Sequence, residues 1–185
     1  MSARRVPVVL LALVGLCALL LASTGAWAQA TRESAVKAAF LYKFGAFIEW
    51  PAGTFTQPDQ PLVIGVAGDD DVASDLEQLA AGRTLDGRPV QVRRLAETGS
   101  LAGVNILFVG QRREARLKET VAAVPPGVLI VSDQPNGLKL GSVINFMSEA
   151  GRVRFSASVG AADARNLKLS ARLLEVAQAV EGRAR

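Results

Sequence analysis

Apolar positions recur at helical spacing where the folded chain begins. Between positions 35 and 51, at about 100° per residue, Val36, Phe40, Leu41, Phe44, Phe47 and Ile48 fall within one broad arc. Glu49 and Tyr42 point the opposite way, and Trp50 lies on the shoulder. The pattern predicts an amphipathic helix that stops at Trp50, because Pro51 biases its predecessor away from helical dihedrals. Lys37 falls inside the arc, but in the first turn, where its stem can reach out to water. Glu33 and Lys37 are spaced for an i,i+4 pair. Each buried ring contributes roughly 1.5–3 kcal/mol, so this helix needs a sheet to pack on.

The later pattern supplies one. Positions 52–61 mix Gly, Thr, Gln, Pro and Asp and read as a loop. An apolar, β-branched run at 62–66 follows, ending at Ala67-Gly68-Asp69-Asp70-Asp71. A helix over about 72–81 comes next, with Val72, Leu76 and Leu79 on one side and an aspartate as its cap. Positions 82–88 are turn-like, with Asp86-Gly87 the strongest local signal. At 89–94, Val90 and Val92 alternate with polar neighbours, as in a half-exposed strand near an edge. The unbroken apolar run at 104–109 predicts a central strand. A helix over about 112–123 ends at Pro125-Pro126-Gly127, and 128–131 is another buried strand leading to Ser132-Asp133.

The rhythm then changes. Positions 142–147 and 152–158 read as a hairpin joined at 148–151, with one wet and one apolar face on its second strand. A short segment at 167–169 precedes a helix over about 170–180, where Leu169, Leu173, Val176 and Val180 recur at helical spacing. Positions 181–185 should fray. The order predicts an α/β fold: a single mixed (parallel and antiparallel) sheet flanked by helices on both faces. No interior linker is long or polar enough to divide it.

Composition changes the picture at the N-terminus. Arg4 and Arg5, the apolar run at 8–22 and the small-x-small Ala26-Trp27-Ala28 read as a secretory signal peptide over 1–28, cleaved after Ala28. The run is short for a membrane span, and Cys17 is not placed for lipidation. Removing 28 of 185 residues leaves a single domain at 29–185, in the periplasm. Without Arg4 and Arg5 the net charge falls from +4 to +2, which gives no argument for nucleic acid. Histidine is absent, and Cys17 is the one cysteine. That excludes a disulfide framework, His/Cys zinc sites, thiol nucleophiles and Ser-His-Asp triads in the mature chain.

Few residues then remain to carry chemistry. Asp69, Asp70 and Asp71 follow a strand in an α/β fold, where ligands bind. Three carboxylates can hold a hard cation, but adjacent side chains diverge and a capped helix start accounts for them. Gly65-Val66-Ala67-Gly68 lacks the spacing of a dinucleotide fingerprint. Arg112, Arg113, Arg116 and Lys118 make a basic helix face, diluted by Glu114 and Glu119, that reads as solvated. No catalytic residue, metal site or cofactor is indicated. Protein binding leaves a different trace, aromatic and arginine side chains outside the core stripe. Tyr42, Trp50, Arg152, Arg154 and Arg172 are the candidates.

The chain resembles the YfiR-like periplasmic repressors. Phe47-Ile48-Glu49-Trp50-Pro51 looks like that family's opening signature, and positions 62–68 look like its first strand and turn. Ile106-Leu107-Phe108-Val109, positions 128–133, Gly141-Ser142-Val143-Ile144-Asn145-Phe146, Val153-Arg154-Phe155 and positions 167–174 follow in the family's order. The resemblance implies a non-enzymatic regulator that binds the periplasmic sensor domain of an inner-membrane diguanylate cyclase and holds it inactive. It also implies an OmpA-like outer-membrane lipoprotein that sequesters the repressor, and homodimers. Two departures stand out: Ser156 and Ser158 occupy places where members often carry Glu and Asn, and the redox-responsive cysteine pairs are absent. The alternative from the residues is a periplasmic module for a small molecule or peptide, using the crevice near Gly68 and Asp71.

Overall fold

Runs that are apolar on both faces become the middle of a sheet. The protein is seen in a computed structural model that describes residues 33–96 and 99–182, apart from the side chains of Arg112 and Glu114. The leader and its cleavage point after Ala28 lie outside the described residues. The described residues from 34 onward cluster as one compact unit. Within it β2 (Leu62–Ala67), β5 (Ile106–Val109) and β6 (Leu129–Ser132) are buried along their whole lengths. They pair in parallel, β2 with β5 and β5 with β6, as expected of strands covered on both faces.

Around them the sheet grows to eight strands. β4 (Arg88–Arg94) pairs with β2 in parallel, and the two-residue β3 (Thr84–Leu85) lies antiparallel beyond it. On the other side β7 (Ile144–Glu149) is parallel to β6, and β8 (Arg152–Ser158) turns back antiparallel to β7. With β10 (Ala179–Glu181) at the far edge, the order is β10-β8-β7-β6-β5-β2-β4-β3. The chain moves outward from β2 to β4, then returns to place β5 on the other flank of β2. That reversal makes the gap between β2 and β5 the topological switch point.

Helices cover both faces, as the pattern predicts. One face carries α1 (residues 33–44) and α2 (Asp70–Ala80), with Ala38, Leu41, Phe44, Val72 and Leu76 packed on Ile64, Ile106 and Val131. Asp69 caps α2: its Oδ1 accepts from the Val72 amide at 3.1 Å. The other face carries α3 (Leu117–Ala123), whose Leu117 packs with Leu107, Val109 and Ile130. The rings of α1 meet the hairpin: Phe44 lies 5.2 Å from Phe155, edge-on, and 5.8 Å from Phe146, stacked. Such offset and edge geometries add to the area term.

Several elements differ from the sequence reading. The first helix stops at residue 44 instead of Trp50, passes through a 3-10 turn at Gly45–Phe47, and becomes the strand β1 (Ile48–Glu49). A Cβ on Gly45 would lie 2.5 Å from Leu62 Cδ2, so glycine admits the close approach that re-aims the chain. β1 then pairs antiparallel with β9 (Lys168–Leu169) in a separate two-stranded sheet. The single helix predicted over 112–123 begins as a 3-10 segment, Gln111–Arg116, broken at Arg113.

The C-terminus departs furthest. α4 (Val159–Asp163), unread in the sequence, starts on Ser158, whose hydroxyl accepts from the Ala161 amide at 3.2 Å. The last helix, α5 (Ala171–Val176), ends well short of position 180. The chain is drawn out when the Gln178 amide donates to the Phe155 carbonyl, 2.8 Å. It then runs as β10 (Ala179–Glu181), parallel to β8 at the sheet edge. Lys37 is a further correction. Its head does not reach water but lies 2.7 Å from Asp133 Oδ2, with 8% and 4% of the two side chains exposed.

Candidate docking face

The switch point is where a ligand would sit in a sheet of this order, and here the turns that follow the two strands approach each other closely. Gly68 follows β2 and Gly110 follows β5, and a Cβ on Gly110 would stand 2.8 Å from both the Gly68 carbonyl oxygen and Asp69 Cβ. The Gly110 amide donates to the Ala67 carbonyl at 2.8 Å, which zips the two ends together. The aspartates turn elsewhere: Asp69 caps α2, and Asp70 lies 3.8 Å from Arg94. Among the described residues no group of three His, Cys, Asp or Glu side chains is placed to hold a metal ion.

Next to this gap lies a buried polar network. Gln134 Nε2 donates to the Gly110 carbonyl at 3.3 Å, and Gln111 Nε2 to the Asp133 carbonyl at 3.3 Å. Asn145 Oδ1 accepts from Ser132 Oγ at 2.7 Å and from the Gln134 amide at 3.1 Å, while its Nδ2 donates to the Gln134 carbonyl at 3.0 Å. These bonds fold the connection after β6 down over β7. The Lys37–Asp133 pair ties the start of α1 to the same end of the sheet. Its partners lie 96 positions apart in the chain, and no local pattern announces them.

The five candidate residues do not gather into one patch. Tyr42 is half-buried and donates its hydroxyl to the Thr84 carbonyl at 2.9 Å, at the β3 edge. Trp50 is half-buried against Phe55, ring centres 6.0 Å apart, and the Arg88 guanidinium covers the other ring at 4.3 Å. Arg172 is exposed on α5. Arg152 and Arg154 share one exposed face of β8, opposite Phe155, as the alternation predicts.

Among the described residues that face is exposed over Met147, Glu149, Arg152 and Arg154. Register places Glu149 opposite Arg152 and Met147 opposite Arg154; Met147 is 37% exposed, among the few large apolar side chains left in solvent. Beside them a socket of about 140 Å³ is lined by Leu138, Lys139, Asn145, Met147, Ser156 and Glu181. Ser156 contributes a buried hydroxyl whose contact is Met147 Sδ at 3.9 Å. Ser158, by contrast, is committed to capping α4. Sequence reading had the arginines but not Met147 or the socket, because the chain from 135 to 139 joins them only through the fold.

Residues 34–178 match the YfiR/HmsC-like family, a match that runs from α1 to the residue before β10. The chain belongs to that family. YfiR/HmsC-like proteins are periplasmic regulators of cyclic-di-GMP signalling. No curated protein matches the chain. In this YfiR/HmsC-like chain the matched span contains the aromatic helix, the switch point between β2 and β5 and the β7–β8 ribbon alike. No described helix is long and apolar enough to cross a membrane.

Proposed function

We propose that this chain is a non-enzymatic regulator, exported with its leader removed after Ala28. It docks on the periplasmic sensor domain of an inner-membrane diguanylate cyclase and holds that enzyme inactive. The observation that carries the reading is the exposed outer part of the β7–β8 face, where Met147 lies opposite Arg154 and borders a small socket, with Arg152 two residues further along the strand. Arginine and methionine are enriched where proteins meet, and a socket beside them can take an anchor side chain. Membership of a regulatory family points the same way.

The mechanism is mass action. A sensor domain with two conformations is driven toward the one the regulator binds more tightly, by no more than the difference in affinity. Turning a 1:99 population into 99:1 needs about a 10⁴-fold preference. An OmpA-like outer-membrane lipoprotein would relieve repression by competing for the regulator, and a second copy of the chain would present two faces at once.

Deletion of the gene tests the reading directly. Cellular cyclic-di-GMP should rise on deletion and return on complementation with the wild-type chain. Complementation with Arg152→Glu/Arg154→Glu, at matched periplasmic level and melting temperature, should leave it high. Unchanged cyclic-di-GMP on deletion would overturn the proposal, and full rescue by the double variant would move the interface off this ribbon.

A further inference from the structure

A second concavity lies at the other end of the parallel strands, where the connections into β5 and β6 meet the loop after β1 and the turn before β9. It has a volume of about 480 Å³ and is walled by Pro51, Leu101, Val104, Pro126 and Val128, with Asn105 at its floor. That volume falls within the range of small-molecule sites.

Asn105 gives the cavity its chemistry. It is 93% buried, being 7% exposed. Its backbone is used in full: the amide donates to the Val63 carbonyl at 2.9 Å, and the carbonyl accepts from the Leu129 amide at 2.8 Å. Its Oδ1 accepts from the Val63 amide at 2.9 Å. The planar side-chain amide is therefore oriented with its oxygen on β2, which leaves Nδ2 on the cavity side without an acceptor among the described residues. The Nδ2 group opens on the cavity, where a ligand carbonyl can take the place of water as its acceptor. Fixed walls surround it. Arg165 donates to the carbonyls of Val128, Val124 and Pro125, each at 2.9 Å, which clamps the connection between α3 and β6. The lining contains no charged side chain to attract an ion.

We infer that this cavity is a binding site for a small neutral amide, of capped amino-acid to dipeptide size, that places a carbonyl oxygen on Asn105 Nδ2 and its apolar body against the proline and valine walls. The uncharged lining selects against ions, and the rigid loops offer a preformed shape. The site is independent of the docking ribbon, so either assignment can fail without the other.

The test is a titration of the full mature chain with N-acetyl-leucinamide and N-acetyl-alanyl-alaninamide up to about 10 mM, read from the Asn105 side-chain NH₂ signal in a ¹H–¹⁵N spectrum. A saturable shift of that signal is expected with at least one probe. Asn105→Asp keeps an oxygen for the Val63 amide while removing the donor, and should weaken binding at least tenfold. Ala102→Phe, at an exposed position on the rim, should block entry, and it decides the matter alone if the first variant fails to fold. No shift with either probe would overturn the inference, as would affinity that both folded variants leave unchanged.

Discussion

Lys37 Nζ and Asp133 Oδ2 stand 2.7 Å apart in the interior, one on the first helix and the other just past β6. Two charges withdrawn from water are costly, and their attraction offsets that cost only while both are present. Asp133→Ala should therefore destabilise the protein by about 3–5 kcal/mol, because it leaves the ammonium buried. Lys37→Met with Asp133→Leu should recover most of that loss. Urea unfolding of the two variants checks the pair; a single variant that unfolds like wild type would mean the charge is relieved elsewhere.

The same residue marks what sequence pattern can and cannot deliver. The arc of Phe40, Leu41 and Phe44 was legible because a helix shows its buried face every three or four positions. Phe47 and Ile48 continue that spacing, so nothing local revealed that Gly45 breaks the helix against Leu62. At the other end, Leu173, Val176 and Val180 satisfy helical spacing, yet Val176 is 66% exposed and Val180 lies in a strand. There, pairing with β8 outweighed local preference. Lys37 looked like a snorkelling side chain because its partner is fixed only by topology. Of the candidate site, the alternation of Arg152 and Arg154 opposite Phe155 could be read from the chain. The socket could not, since a loop closes it from across the ribbon.

The aromatic junction between α1 and the hairpin should dominate stability. Phe44 is 1% exposed and contacts both Phe146 and Phe155. Phe44→Ala should cost about 3–5 kcal/mol. Tyr42→Phe removes a hydrogen bond at the surface and should cost no more than about 1.5 kcal/mol. Equal losses in chemical denaturation would contradict the packing described.

Stability should carry an acid- and salt-sensitive component from the outer face of β4. Arg94 hydrogen-bonds Glu77 at 2.8 and 2.9 Å, and this holds the Glu77 carboxyl below its ordinary value. A carboxylate depressed in the folded state stabilises above its unfolded pKa, and the contribution is lost as pH falls through the lower folded value. Both groups are exposed, so screening keeps the effect small. A double-mutant cycle on Glu77→Ala and Arg94→Ala should show coupling at pH 7 in dilute buffer. It should shrink at about 1 M salt, where the Debye length is about 3 Å, and vanish as the solution is acidified through the Glu77 transition. Coupling that grew on acidification would contradict this sign.

The tip of the β7–β8 ribbon can be made more stable without touching its face. Ala150 and Gly151 form the two-residue turn between β7 and β8 with φ of 48° and 73°, the positive pair of a type I′ turn. Glycine takes such angles freely, but an alanine there meets its following carbonyl at a cost of roughly 1–2 kcal/mol. Asparagine tolerates the left-handed region and makes Asn-Gly, the favoured sequence for this turn. Ala150→Asn should therefore raise stability by about 0.5–1 kcal/mol, since it relieves strain without adding unfolded-state entropy. Ala150→Gly should gain less, because glycine has more freedom to lose on folding. For a domain of this size the gain corresponds to a rise of about 2–4 °C in melting temperature per kcal/mol. A fall in melting temperature with both variants would mean that the turn is not left-handed, and the register that sets Arg152 opposite Glu149 and Arg154 opposite Met147 would have to be redrawn.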